Sequence, residues 1–84
     1  MLFTCLLRSR AGMYSQAIRL FKNAKIPKDV KIHEFLGMFG AYDCVVIFEA
    51  PNEETAAEFV VQFGDAADPL TMMAFPVEAL KWTR

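Results

Sequence analysis

Residues 40–49 constrain the fold of this chain more than any other stretch. Their sequence is Gly-Ala-Tyr-Asp-Cys-Val-Val-Ile-Phe-Glu, and it runs on into Ala-Pro-Asn-Glu-Glu. This pattern predicts the end of one strand, a tight turn and then a buried strand. Asn52, with two glutamates behind it, is typical of the residue that caps the start of a helix. A hairpin that leads directly into a helix is therefore expected.

The pattern along the rest of the chain predicts the element order βαββαβ in a single domain, residues 1–84. Strands are expected at residues 2–7, 30–39, 42–49 and 70–75, and helices at residues 12–24 and 52–64. This order predicts an α+β, ferredoxin-like fold, in which a four-stranded antiparallel sheet carries both helices on one face. The two-residue link Gly40-Ala41 predicts a tight hairpin that sets Phe39 opposite Tyr42.

Side chains alternate between the faces of a sheet, so the predicted hairpin divides into two sets. The first set is mainly aliphatic and comprises Ile32, Glu34, Leu36, Met38, Asp43, Val45 and Ile47. The second set is richer in aromatic rings and comprises His33, Phe35, Gly37, Phe39, Tyr42, Cys44, Val46 and Phe48. Helices usually pack on aliphatic side chains, so the aromatic set is expected to face outward. A β-bulge in the hairpin would exchange the two faces.

An outward aromatic face predicts a homodimer or a higher oligomer, because monomers rarely expose large contiguous apolar patches. The expected interface consists of Phe35, Phe39, Tyr42, Val46 and Phe48. The principal partner of the chain is then a second copy of itself.

Composition argues against several classes of protein. At 55% hydrophobic and 23% charged residues, the chain is too apolar for a disordered protein. No apolar run approaches the ~18 residues that a membrane span needs. The basic residues follow the apolar start of the chain instead of preceding it, unlike those of a signal peptide. We therefore expect a cytoplasmic protein that does not act at a membrane.

Charge is unevenly distributed, although the net charge is only −1. Residues 1–33 contain seven lysines and arginines and one aspartate, a charge of +6. Residues 34–84 contain nine acidic and two basic residues, a charge of −7. Such asymmetry can mark an anion site or a nucleic-acid surface. Adjacent solvated helices that complement each other in charge are the simpler interpretation.

Few side chains offer metal or nucleophilic chemistry. Cys5 and Cys44 lie inside apolar strands without metal-ligand spacing, so both are expected to be buried, reduced thiols. His33 is the only histidine, which argues against a multi-histidine metal site within a subunit. No metal or cofactor is expected.

The candidate site residues fall into two groups. His33, Tyr42 and Asp43 are candidates for general acid–base catalysis in a metal-free enzyme. Arg8 and Arg10, together with Tyr42, are candidates for binding a small ligand through its carboxylate or phosphate. Asp43 has a structural alternative beside the turn, where it can accept hydrogen bonds from backbone N–H groups.

The chain resembles the GYD-domain family, small proteins of the dimeric α/β-barrel type. The resemblance covers residues 32–77 and rests on Phe35, Gly40-Ala41-Tyr42-Asp43, Val45-Val46-Ile47, Glu49-Ala50-Pro51 and Ala74-Phe75-Pro76. The first thirty residues depart from the pattern, because the helix after Gly12 is shorter than usual. Membership would imply a dimer or larger assembly, but no established activity. The Gly-x-Tyr-Asp turn is also similar to that of the effector-binding domain of leucine-responsive regulators, which bind small amino-acid ligands between subunits.

The same element order also serves the RNA-recognition module, whose third strand carries a basic residue and stacking aromatic rings. This chain has Phe39 in place of the basic residue and Cys44 where a stacking ring is expected. No nucleic-acid partner is therefore expected. The sequence favours a small homo-oligomeric module for ligand binding or assembly. The alternative is a metal-free oxygenase, isomerase or decarboxylase that uses His33, Tyr42 and Asp43.

Overall fold

A computed structural model describes residues 1–81 of the chain. Its strands are β1 (Leu2–Ser9), β2 (Lys31–Gly37), β3 (Cys44–Glu49) and β4 (Ala67–Ala74), and its α-helices are α1 (Tyr14–Lys22) and α2 (Glu53–Val61). Short 3₁₀ helices occupy Gln62–Asp65 and Val77–Ala79. The strands form one antiparallel sheet in the order β2-β3-β1-β4. The predicted α+β, ferredoxin-like fold class is confirmed.

The start of α2 follows the prediction from its capping residue. The side-chain oxygen of Asn52 accepts a hydrogen bond from the backbone N–H of Thr55 at 2.7 Å. Glu53 and Glu54 occupy the first turn, where their negative charges favour the positive end of the helix dipole. The α-helix ends earlier than predicted, at Val61, and the chain continues as a 3₁₀ helix toward Asp65.

The predicted two-residue hairpin loop is wrong, and a six-residue loop over residues 38–43 connects β2 to β3 instead. The Met38 N–H donates to the Asp43 carbonyl at 2.9 Å and closes this loop. A tight hairpin turn of the favoured type needs positive φ at both central residues. Ala41 has a Cβ that disfavours such a conformation, and within residues 1–81 only Gly12 has a positive φ.

Strand β4 begins three residues earlier than predicted, at Ala67, and includes Pro69. Proline cannot donate a hydrogen bond to a neighbouring strand, but β4 lies at an edge of the sheet, where one side has no neighbour. At the opposite edge, a β-bulge in β2 shifts the register between Ile32 and Glu34, at His33. Gly37 nevertheless lies opposite Cys44, the pairing that the sequence predicts.

The helices cover the sheet face that was expected to point outward. The buried side chains of the two central strands pair across that face: Phe3 with Phe48, Cys5 with Val46, and Leu7 with Cys44. Phe59 of α2 packs on Phe48, with ring centroids 4.9 Å apart, and Phe63 packs on Phe59 at 5.6 Å. Large rings fill the layer between sheet and helices, and edge-to-face contacts orient them.

The predicted outward placement of the aromatic set is therefore wrong. Val46 and Phe48 are fully buried beneath the helices, and Phe35 packs partly buried against the same core. Phe39 is fully exposed because it lies in the loop beyond the strands, and Tyr42 lies in that loop too. The expected burial of Cys5 and Cys44 as free thiols is confirmed.

The opposite side of the sheet, here called the open face, is not covered by α1 or α2. It is lined by seven large apolar side chains that alternate with the buried ones: Leu2, Leu6, Leu36, Val45, Ile47, Leu70 and Met72. Leu36, Leu70 and Met72 are 49%, 46% and 43% exposed.

No helix in the described part of the chain is long and apolar enough to cross a membrane.

Candidate functional site

Asp43 joins the hairpin loop to the end of β1. The backbone N–H and the hydroxyl of Ser9 each donate to Asp43 Oδ2 at 2.8 Å. The Asp43 N–H donates to the Leu7 carbonyl at 2.9 Å. The backbone hydrogen bond from Ser9, and then the one from its hydroxyl, lower the pKa of Asp43 because they favour its ionised form. Asp43 thus has the backbone contact expected of a carboxylate beside a turn.

The two arginines predicted as ligand-binding residues make contacts within the fold. The Arg8 guanidinium lies over the Tyr42 ring, 4.8 Å from its centroid, and Arg8 Nε donates to the Ala41 carbonyl at 3.0 Å. Arg10 Nε pairs with Asp68 at 3.1 Å, and Arg10 Nη2 donates to the Gly64 carbonyl at 2.6 Å. Both arginines and Tyr42 therefore support loops around the end of β1.

His33 lies apart from the other two catalytic candidates. At the bulge in β2, its Nε2 pairs with the carboxylate of Glu49, and this hydrogen bond lowers the pKa of Glu49. The hairpin loop that holds Tyr42 and Asp43 is at the other end of the same strand pair. The four-residue separation along β2, from His33 to Gly37, spans roughly 13 Å at the usual rise per residue. The structure does not bring the three residues into one site.

Ion pairs within residues 1–81 are those of Arg10 with Asp68 and His33 with Glu49. None of these ion pairs joins α1 to α2 in this part of the chain. The opposite charges expected on the two helices therefore do not form a direct ion pair there. The described residues also contain no cluster of three or more His, Cys, Asp or Glu side chains that could hold a metal ion.

A cleft of about 440 Å³ lies between α1 and the hairpin end of the sheet. Its lining comes from α1, β2 and the start of β3: Ile18, Phe21, Lys22, Phe35, Gly37, Asp43 and Cys44. Sequence reasoning singled out Asp43 but did not predict the cleft. A glycine inside a strand is a signal for an opening of this kind. Gly37 lies inside the predicted strand and at the end of the observed β2, and a Cβ added there would meet nothing within 4 Å.

Cys44 contributes an apolar wall to the cleft. Burial, together with the nearby Cys5 and Asp43, raises the pKa of the Cys44 thiol to about 11. The thiol is therefore protonated at neutral pH and does not act as a nucleophile there. Burial also raises the pKa of Cys5.

The family model for the GYD domain matches residues 9–82. This chain belongs to the GYD domain family. The match includes α1 and extends beyond residues 32–77, the part of the chain that carries the sequence resemblance. No curated protein matches the chain in sequence. The Gly-x-Tyr-Asp segment of this GYD domain is the loop in which Tyr42 stacks on Arg8 and Asp43 binds Ser9.

Removing the Asp43 carboxylate is expected to destabilise the protein modestly. We expect Asp43→Ala to lower the free energy of unfolding at pH 7 by about 1 kcal/mol, because it removes two hydrogen bonds at a partly exposed position. The folded-state pKa of Asp43 is lowered, so its stabilisation is complete above the unfolded pKa of about 3.9 and disappears as pH falls through the folded value. Urea unfolding at several pH values measures both effects.

Asp43→Asn is the matched control for charge. Its side-chain oxygen can still accept the Ser9 hydrogen bonds, but it does not titrate. The variant should therefore lose less stability than Asp43→Ala and show a weaker pH dependence than the wild type in acid. Equal stability of all three proteins from neutral to acid pH would contradict the role assigned to the Ser9 contact.

Proposed function

We propose that this GYD domain is a homodimeric assembly module, in which two subunits pack their open faces together. One observation carries the proposal: the two central strands present apolar side chains on both faces, whereas the helices cover only one. An antiparallel sheet with one face in water normally alternates apolar and polar residues. Here Leu6, Val45 and Ile47 occupy outward positions on β1 and β3.

The distribution of charge around the open face also fits an interface. At one end Lys31 lies opposite Glu49, and at the other Arg8 lies opposite Asp68. Protein interfaces commonly have an apolar centre within a polar, solvent-accessible rim. The open face has this arrangement, and Glu34 adds a charge beside Ile47 on the edge strand β2.

The size of the open face supports a two-fold dimer. Its four strands lie about 4.8 Å apart and rise about 3.3 Å per residue, so the face projects to roughly 400 Å². Because Leu, Ile and Met side chains protrude from the sheet, the accessible area of the open face exceeds its projected area. It approaches the ~800 Å² that each partner buries in an ordinary stable interface. A two-fold axis would pair each open face with an identical one, so the same apolar surface serves both subunits.

The native mass of the wild-type protein tests this proposal. We expect native mass spectrometry and sedimentation to give twice the subunit mass of 9.5 kDa. Dissociation should occur only near or below micromolar concentration, as for an interface of standard size, with Kd about 1 µM or lower. A protein that remains monomeric up to about 100 µM would refute the assembly proposal.

A further inference from the structure

We propose that the cleft between α1 and the hairpin end of the sheet binds a small, uncharged aromatic molecule that carries a hydroxyl group. Three of its lining residues, Phe35, Gly37 and Cys44, lie on the helix-covered side of the sheet, away from the open face. The inference therefore goes beyond the assembly proposal and does not depend on it. The volume of the cleft, about 440 Å³, lies within the usual range of small-molecule sites.

Two phenylalanine rings give the cleft a rigid apolar floor. Phe21 from α1 and Phe35 from β2 both contact the fully buried ring of Phe63, edge to face, at 5.7 Å and 6.1 Å between centroids. Because Phe63 fixes both rings, they can orient a third ring with little loss of side-chain entropy. The protonated thiol of Cys44 and the side chain of Ile18 complete an apolar surface.

Gly37 leaves space for the ring of the ligand. Its position opposite Cys44 directs a side chain toward the helix-covered face, where a Cβ would meet nothing within 4 Å. Its backbone does not have positive φ, so the conformation does not require glycine. A side chain introduced at this position would occupy the cleft without straining the strand.

The polar groups of the cleft favour a neutral ligand with a hydrogen-bond donor. Lys22 and Asp43 carry opposite charges at its rim. Lys22 would attract a ligand carboxylate but Asp43 would repel it, and the reverse holds for a ligand ammonium. A single charge on the ligand therefore gains little net attraction and still loses its hydration. Both hydrogen bonds from Ser9 end on Asp43 Oδ2. Within residues 1–81 no hydrogen bond reaches Oδ1, which can accept a hydrogen bond from an aromatic hydroxyl.

Titration of ¹⁵N-labelled protein with 4-methylphenol tests the proposal. We expect saturable shift changes at the amides of Phe21, Phe35 and Cys44, with Kd of about 1 mM for a ligand of this size. The methyl ether 4-methylanisole has the same ring but no hydroxyl donor, and it should bind at least about tenfold more weakly. Equal binding of the two compounds would overturn the assigned role of the hydroxyl group.

Two glycine variants locate the binding site. Gly37→Val should fill the cleft and weaken 4-methylphenol binding at least about tenfold, with little change in thermal stability. Gly40→Val is the matched control, since its added Cβ also meets nothing within 4 Å but lies outside the cleft. It should bind as the wild type does. The proposal is wrong if the wild type shows no saturable binding, or if both variants bind equally well.

Discussion

Replacement of Phe48 by alanine is expected to lower the free energy of unfolding by about 3–5 kcal/mol, the usual effect of removing a large buried ring. Phe48 is fully buried. Its ring stacks on Phe3 at 5.5 Å and meets Phe59 edge to face at 4.9 Å, so the variant loses contacts with both the sheet and α2. A domain of this length has a total stability of only about 4–13 kcal/mol. Urea unfolding followed by circular dichroism should show a large shift or no folded baseline at all.

Phe39→Ala is the matched control because it deletes the same ring from the fully exposed loop position. Its stability should remain within about 0.5 kcal/mol of the wild type. The pair distinguishes the observed hairpin from the one predicted by alternation, which places Phe39 and Phe48 on the same outward face. Similar small losses in both variants would contradict the burial of Phe48 beneath the helices.

A charge at the centre of the open face is expected to separate the subunits. Val45 lies on the central strand β3, beside Leu6 of β1 and Leu36 of β2. In a two-fold interface Val45→Glu introduces two buried carboxylates, one from each subunit, without a partner for either. We expect the dissociation constant to rise at least about 100-fold, which corresponds to about 3 kcal/mol. Sedimentation over a range of concentrations measures this change.

Val61→Glu is the corresponding control on the other side of the molecule. Val61 is largely exposed at the end of α2, and the sheet lies between α2 and the open face. The variant should keep the wild-type mass and dissociation constant. Circular dichroism should show that both variants remain folded, since neither position is fully buried in the subunit. A Val45→Glu protein that dimerises as tightly as the wild type would exclude the open face as the interface.

The order of elements, the helix cap and the buried cysteines could be predicted from the sequence because each depends on neighbouring residues. Asn52 followed by Glu53 and Glu54 specifies a helix start by hydrogen bonding and charge within one turn. The GYD pattern around the hairpin was likewise local, and the match to residues 9–82 confirms it. These features are encoded over distances of a few residues along the chain.

The choice of covered face could not be predicted in the same way. Alternation divides β3 correctly into two sets, but both sets are apolar, so hydrophobicity alone cannot identify the one that the helices bury. Contacts of Phe48 with Phe59, and of Phe59 with Phe63, decide the question. They form only when α2 and the 3₁₀ helix after it pack on the sheet.

For the candidate site residues, too, the sequence predicted local positions but not the contacts between distant parts of the chain. The sequence determined that Asp43 follows a turn and that His33 lies in a strand. The predicted β2–β3 pairing already placed His33 at the opposite end of the hairpin. Tertiary structure alone decided that Asp43 binds Ser9, 34 positions away. It also brought Phe21 of α1 beside Phe35 and Gly37 of β2 to form the cleft. Local patterns fix which elements form, whereas the packing of elements distant in sequence fixes which side chains meet.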